Sequence, residues 1–511
     1  MLQGKSPDYC ARFRVHCDRK EKDLKNFWNH IVFHPTDAVE DTWGQEILDR
    51  IARDKAAKTV RVYTMFEEMV TLDAQGQMHF DFTNCDYRLD YLTGKGFDIL
   101  LSYAFVPGFI TDDENNFKPR YKNKKLYVGK VVDYARWEEI CRVFTQHIVD
   151  RYGEDTVANW HLNCYNEPDS GAYFYKDCPD FETKLQEFCK LYDGFEAGIT
   201  SVSKKLRLGG PALAASKHSY AFLAGLLDHI RETGRRIDFI NFHKYGTNPL
   251  WITTNEKPFR VNTGIEVIQN TLRVIKACGF EHLPVLWGEW GAASEGYKTA
   301  KDVPEYIFRD TEAYAAYYVK LLTFWDEQGA PFDKMVLCLS GQDRNEKDFM
   351  GYRSFVTKNG YPKPIYNAFV LAGKLGTEKL FFYALDKSLC PERVSVMPTR
   401  HEDGHLSILL CYADDDMIRD LESAQVTLEL SGLDKTYCVS QYLIDAEHAN
   451  GIAKYRELGC PDDPTEEEKA AIMEFATLKS TDEGTVSAEK NTLTLTMTNN
   501  SVVLLELQQK V

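Results

Sequence analysis

An eightfold alternation constrains this chain more than any other feature. Short apolar runs recur along its first three quarters, each followed by a longer stretch with helical periodicity. The runs are FWNHIVFH (27–34), KTVRVYTMF (58–66), FDILLSYAF (97–105), NWHLNCYNEP (159–168), RLGGPAL (207–213), IDFINFHKYG (237–246), PVLWGEWG (284–291) and KMVLCLSG (334–341). Between them, ARWEEICRVFTQHIVDRYG, AFLAGLLDHIRETG and EAYAAYYVKLLTFWDEQG have helix spacing and end at or near glycine, a usual stop signal. Eight such units predict an α/β fold, a (β/α)8 TIM barrel over residues 26–376 with insertions in its loops. An open doubly wound sheet is the competing arrangement. It would more often carry an early glycine-rich phosphate loop, and the sequence has none.

After KPIYNAFVLAGKLG the texture changes to alternating runs: HLSILLCYA, AQVTLELSG, TLTLTMT and SVVLLEL. This patterning predicts a C-terminal β-sandwich accessory domain over 377–511. One helical insertion, PTEEEKAAIMEFATL, interrupts it, with Thr465 placed to cap and acidic residues in the first turn. Within residues 1–25, CARFRVHC alternates in the same way and is a candidate further strand of the sandwich.

With 511 residues, of which 44% are hydrophobic, the chain can bury one large core and a smaller one. Its formal net charge of −16 argues against nucleic acid or an anionic membrane surface as a partner, since both require a basic footprint. A neutral small molecule or glycan fits better. The first residues contain no apolar signal core, and no run of about 18 apolar residues occurs, so neither export by a cleaved signal nor a membrane span is expected. Thirteen cysteines are scattered without CxxC pairs, which predicts reduced thiols and a cytoplasmic location.

Barrels gather functional groups at the carboxyl ends of their strands. Glu167 stands at the end of the fourth run and Glu289 at the end of the seventh, so the two carboxylates should converge on one mouth. Glycoside hydrolysis needs such a pair: one protonated to assist the leaving oxygen, the other ionised to attack the anomeric carbon or to activate water. Taken singly, either glutamate reads as a loop residue or a helix cap; their joint placement carries the functional reading. Asn166, next to Glu167, offers an amide for a sugar hydroxyl, and Trp287 and Trp290 flank Glu289. Arg61, on the second run, would be an odd charge inside a barrel unless it paired with a carboxylate, for which Glu289 is the natural candidate. On the sixth run Tyr245 is placed to hydrogen-bond the nucleophile, against a reading as core packing, and His243 is either a site residue or a satisfied buried imidazole. Tyr103 is a candidate wall of the sugar pocket. A zinc site would need clustered ligands, and His30, His34, His161 and His243 are dispersed in the sequence, so no metal and no cofactor are expected.

RYGEDTVANWHLNCYNEPD, KLYDGFEAGITSVSKKLRLGGPAL, DFINFHKYG, PVLWGEWG and NGYPKPIYNAFVLAGKLG together resemble glycoside hydrolase family 39 of clan A, the family of retaining β-xylosidases and α-L-iduronidases. The stretch from YLIDAEHANG to AIMEFATL is similar to that family's accessory region. The resemblance implies a double displacement with Glu167 as general acid/base, Glu289 as nucleophile and their carboxyl groups roughly 5 to 5.5 Å apart. It places Asn166, His243, Tyr245 and Arg61 around the cleaved sugar. The chain departs from the family pattern at Tyr165, where tryptophan is usual, and at Tyr63, where histidine is usual. Near the eighth strand a family tryptophan is missing, and Gln342 and Asp343 are on offer. Tyr63, Tyr103, Trp290 and Gln342 complete the expected substrate-binding set. Family members are often oligomeric, so a homo-oligomer is also an expectation.

The leading activity is an exo-acting β-xylosidase on small neutral oligosaccharides. An α-L-arabinosidase, β-galactosidase or α-L-iduronidase is the alternative within the same chemistry, and a uronide would call on Lys244 or Arg344 as a cation. A non-catalytic sugar-binding scaffold is the competitor from another class, though binding alone does not require two facing carboxylates.

Overall fold

A computed structural model of the chain describes residues 10–214, 218–246, 260–344, 346–385 and 392–510. All eight apolar runs form strands: His30–Phe33, Thr59–Tyr63, Asp98–Tyr103, His161–Cys164, Leu208–Leu213, Phe239–His243, Val285–Trp290 and Lys334–Leu339. They pair in parallel and close into a barrel, the eighth joining the first with Val336 opposite His30 and Leu339 opposite Phe33. Closure excludes the open sheet. Helices Tyr134–Tyr152 and Ser219–Thr233 run out at Gly153 (φ +84°) and Gly234 (φ +69°), where a left-handed backbone ends the helix without a Cβ clash.

Inward positions alternate with outward ones along each strand, so the interior is a packed core. Val32, Leu100, Leu286, Val336 and Cys338 fill its middle. His30 and His161 start their strands at the opposite end of the barrel from Glu167 and Glu289. Two short hairpins, Val70–Leu72 with Met78–Phe80 and Phe117–Pro119 with Lys125–Tyr127, are built from the loops after the second and third strands.

The remaining strands form one nine-stranded sheet in the order Ser480–Val486, Tyr437–Ile444, Ser501–Gln509, Leu406–Tyr412, Val394–Arg400, Glu378–Ala384, Cys10–Asp23, Ala424–Ser431 and Thr492–Met497. The pairing is antiparallel except between Cys10–Asp23 and Ala424–Ser431. The amino-terminal strand thus sits inside the sheet. Phe13, Val15, Leu380, Ile408, Val426, Val439 and Leu505 share one apolar core, produced by the period-2 alternation seen in the sequence. Thr465 caps helix Glu466–Ala476 in a reciprocal box with Glu468. That helix and its neighbour Gly451–Glu457 pack Ile452, Tyr455 and Ile472 against Phe349 and Tyr361 of the barrel's last loop.

Helix Glu312–Glu327 is buried along nearly its whole length, because the barrel covers one side and the second sheet the other. Lys320 Nζ donates to Ala413 O at 3.0 Å, and Asp326 accepts from Lys379 at 2.5 Å and Lys22 at 2.8 Å. Both lysines belong to the nine-stranded sheet, so this carboxylate ties sheet to barrel. All twelve described cysteines are free thiols, while Cys390 lies outside the described residues. No helix of the described residues is long and apolar enough to cross a membrane.

Candidate active site

The barrel's carboxyl-terminal end opens into a cavity of about 880 Å³. The ends of all eight strands and the loops after them contribute to its wall, including His34, Tyr63, Phe105, Glu167, Ala214, Tyr245, Glu289 and Ser340.

Glu167 follows the fourth strand on a strained turn. Its φ is +48° and that of Tyr165 +61°, conformations unusual for residues with a Cβ. The fifth strand and the fourth strand's own Asn163 hold the turn: Glu167 N donates to Ala212 O at 2.8 Å, and Asn163 Nδ2 to Tyr165 O at 2.8 Å. Glu289 depends on an irregularity in the seventh strand. Trp287 pairs with Met335 and Trp290 with Leu337, so one extra residue bulges between them. Gly288 makes the bulge fit, because a Cβ there would come within 1.9 Å of Asn241 Oδ1. The bulge turns Glu289 inward while both flanking tryptophans face out.

The two carboxylates differ in their surroundings. Glu289 Oε1 accepts from Arg61 Nη1 at 2.7 Å, and Oε2 accepts from the Tyr245 hydroxyl at 2.7 Å. Burial is the largest influence on Glu289 and pushes its pKa up, but the groups around it, Arg61 and the hydrogen-bonding His34 among them, overcome it and hold the carboxyl well below the usual range. Since burial pushes His243 itself down to about 3, the imidazole is neutral at pH 7. The permanent charge of Arg61, with the hydroxyl donor, is therefore what keeps Glu289 ionised. Glu167 has the reverse setting: burial first, then the Glu289 charge, push it up to about 8. The site thus pairs a protonated carboxyl with an ionised one. Oxygens of Glu167 and Glu289 and a ring nitrogen of His243 all lie within 4.8 Å of one another.

His243 connects the pair. Its Nε2 lies 2.9 Å from Arg61 Nη1, which can only donate, so Nε2 accepts and the ring proton sits on Nδ1. Nδ1 in turn lies 2.9 Å from Glu167 Oε1 and 3.6 Å from Glu289 Oε2. Asn166 Oδ1 accepts from Arg61 Nη2 at 2.8 Å and from Tyr63 at 3.0 Å, which leaves the Asn166 amide nitrogen free to donate to a ligand.

Asn166, Tyr63 and Tyr245 line the cavity as expected. Arg61 and His243 do not: both are wholly buried beneath its floor, against the two carboxyl groups. Further expectations need correction. Tyr103 follows inward-facing Ser102, so it points out to the helices, where its hydroxyl meets Thr145 Oγ1 at 2.9 Å and its ring packs on Phe144 and Phe195. Phe105 supplies the aromatic wall in its place. Trp290 is fully buried and stacks on Tyr318 of helix Glu312–Glu327, with centroids 5.7 Å apart. Gln342 faces a separate cavity of about 380 Å³ beside Trp43 and Arg50, and its neighbours Asp343 and Arg344 line the main one. Lys244 also turns away, its Nζ 2.5 Å from Ser219 Oγ.

The structure adds residues that the sequence reading missed. His34, set aside as dispersed, reaches Glu289 Oε1 at 3.6 Å and the Tyr63 hydroxyl at 3.2 Å. Its position just past the end of the first strand was the available signal. Arg353 and Tyr173 come from loops with no periodicity to mark them. Arg353 donates from Nε to Ser340 Oγ at 3.1 Å, and its guanidinium lies over the Tyr245 ring at 4.7 Å.

A closed eight-stranded barrel presenting a protonated and an ionised carboxyl group across one mouth defines a glycoside hydrolase. The family model described as "Glycosyl hydrolases family 39" matches residues 11–490, and the chain belongs to that family. It is 23% identical over 518 aligned residues to a β-xylosidase of Caldicellulosiruptor saccharolyticus, covering 96% of this chain and 97% of the relative. It is also 26% identical to the human α-L-iduronidase, over 45% of this chain and 36% of that protein. Among solved structures, a monomeric β-xylosidase from Caulobacter crescentus superposes with a TM-score of 0.81 at 18% identity, covering 98% of this chain and all of that one.

Proposed function

We propose that the protein is a retaining, exo-acting β-xylosidase-like enzyme that removes a terminal sugar from small oligosaccharides. Glu167 as the protonated acid donates to the leaving oxygen while Glu289 attacks the anomeric carbon, forming a glycosyl ester. Glu167, now ionised, then takes a proton from the water that releases the sugar. One observation carries this reading: the two carboxyl groups approach within 4.8 Å at their nearest oxygens, with opposite protonation. An inverting pair stands roughly 6.5 to 9.5 Å apart to admit a water between. The β-xylosidase relatives, aligned along most of the chain, support the glycone. Free thiols throughout the described residues support a cytoplasmic setting.

Arg353 favours a second reading, an α-L-iduronidase. It is buried, lines the cavity beside Tyr245 and makes no ion pair among the described residues, so it could receive a uronate carboxylate. A panel of aryl glycosides (β-D-xyloside, α-L-arabinosides, β-D-galactoside, β-D-glucoside, α-L-iduronide) separates these readings, with Glu289→Ala as the control and proton NMR of the first-formed anomer as the stereochemical assay. Turnover of the xyloside with a β anomer released first is expected. Activity surviving in Glu289→Ala, or a first-formed anomer of configuration opposite to that of the substrate, would sink the retaining mechanism.

A further inference from the structure

We propose that the wall on the Glu167 side of the cavity is a leaving-group subsite that selects a carboxylate-bearing aglycone, with Lys118 as the residue that recognises it. This rests on the glycosidase reading above, whichever glycone the panel selects.

A general acid must touch the oxygen that departs, so the leaving group lies against Glu167 and its neighbours rather than against Glu289. That wall is aromatic and cationic. Tyr173 stacks on Phe105 with centroids 5.8 Å apart and planes at 18°, and Lys118 Nζ sits 4.3 Å above the Tyr173 ring. All three line the cavity, Lys118 from the rim strand Phe117–Pro119. A ring face of this kind suits a flat or pyranose leaving group.

The state of Lys118 points to charge selection. Five lysine and arginine side chains line this cavity in a chain whose net charge is −16. Three are already matched: Arg120 by Asp37, Glu67 and Glu68, Lys298 by Glu295 at 2.8 Å, and Arg344 by Asp343 at 3.7 Å. Arg353 is anchored on Ser340 and lies on the Glu289 side. Lys118 alone stands on the acid side, and among the described residues its ammonium makes no ion pair and no hydrogen bond to a side chain. Burial pushes it below the usual range, with Glu167 the carboxyl that opposes this. A partly desolvated cation without a counter-ion is costly, and a ligand carboxylate at that point offsets the cost. Bound there, the same carboxylate would shield Glu167 from Lys118 and help to keep the acid protonated. A single carboxylate on the departing group leaves the cleaved sugar as proposed above.

The test compares two aryl glycosides of the active glycone, one with a 4-carboxyphenyl leaving group and one with its neutral isostere, 4-carbamoylphenyl. The ratio of their kcat/KM values is measured in wild type, Lys118→Met and Lys118→Arg, at low and high salt. In Lys118→Met the ratio is expected to fall roughly fivefold to tenfold, mainly through KM of the carboxylate, while Lys118→Arg retains it. In wild type, added salt should reduce the ratio, and in Lys118→Met salt should leave it flat. Turnover of both substrates with the same ratio in all three proteins, or a wild-type ratio indifferent to salt, would overturn the subsite. No turnover of either substrate by wild type would overturn the glycosidase reading along with it.

Discussion

Arg61 and Glu289, on the second and seventh barrel strands, meet in a buried ion pair with Nη1 2.7 Å from Oε1. Arg61 also bonds Asn166, His243 and Ser102, so one guanidinium orients most of the site's polar groups. Removing it would strand a buried carboxylate. Arg61→Met is expected to destabilise the fold by about 3 to 5 kcal/mol and to raise the Glu289 pKa. Chemical denaturation would show the first effect, and an acid limb of the kcat/KM profile moved to higher pH the second.

The opposite shifts of the two carboxyl groups predict a broad pH optimum. Turnover needs Glu167 protonated and Glu289 ionised. Glu167 is raised to about 8, so kcat/KM should fall as pH rises through that value. Glu289 is held well below 4.5, so the acid limb should lie below the usual carboxylate range. A single limb near pH 4.5 to 5, with no loss on the alkaline side, would contradict the assignment of the acid.

The raised Glu167 also bears on stability. Its folded pKa exceeds its unfolded one, so the native state holds a proton that the unfolded chain releases between about pH 4.5 and 8. Stability from this group is fully present below the unfolded pKa and is lost as pH rises through the folded one. Glu167→Gln stays neutral and escapes this loss. The variant should unfold later than wild type at pH 8, by on the order of 1 to 3 kcal/mol, and equally at pH 4. Thermal melts at the two pH values decide it.

Tyr245 donates to the Glu289 oxygen opposite the one that Arg61 holds. Tyr245→Phe removes a hydrogen bond to a charged group, worth about 1.5 to 3 kcal/mol. A fall of roughly 10- to 100-fold in kcat/KM is expected, with the ring still packed under Arg353.

Trp290 tests the corrected site map. It stacks on Tyr318 behind the strand, so Trp290→Ala should cost about 3 to 5 kcal/mol of stability. KM should change little in whatever protein stays folded. A large rise in KM with stability intact would return Trp290 to the pocket.

The strand set was legible in the sequence because the barrel strands are buried and mainly apolar and several of the intervening helices end near glycine. The glutamates were legible because a carboxylate at the end of such a strand has few structural reasons to be there. The orientation of side chains beside them was less legible. Strict alternation would have sent either Glu289 or its neighbours the wrong way, and the bulge at Gly288 resolves this by inserting a residue. Tyr103 was misplaced by one step of the same period, since Ser102 takes the inward position.

Periodicity and strand ends by themselves determined the barrel, the accessory sheet with its amino-terminal strand, and the pair of glutamates. These are encoded locally, in the repeat of 2 or 3.6 residues that burial imposes. Tertiary structure alone supplied the physical reason the two carboxyl groups differ, because that depends on Arg61 arriving at Glu289 and on Glu167 being buried beside the resulting charge. It alone brought His34, Arg353 and Lys118 to the cavity, since loops between strands carry no period that fixes where their side chains point.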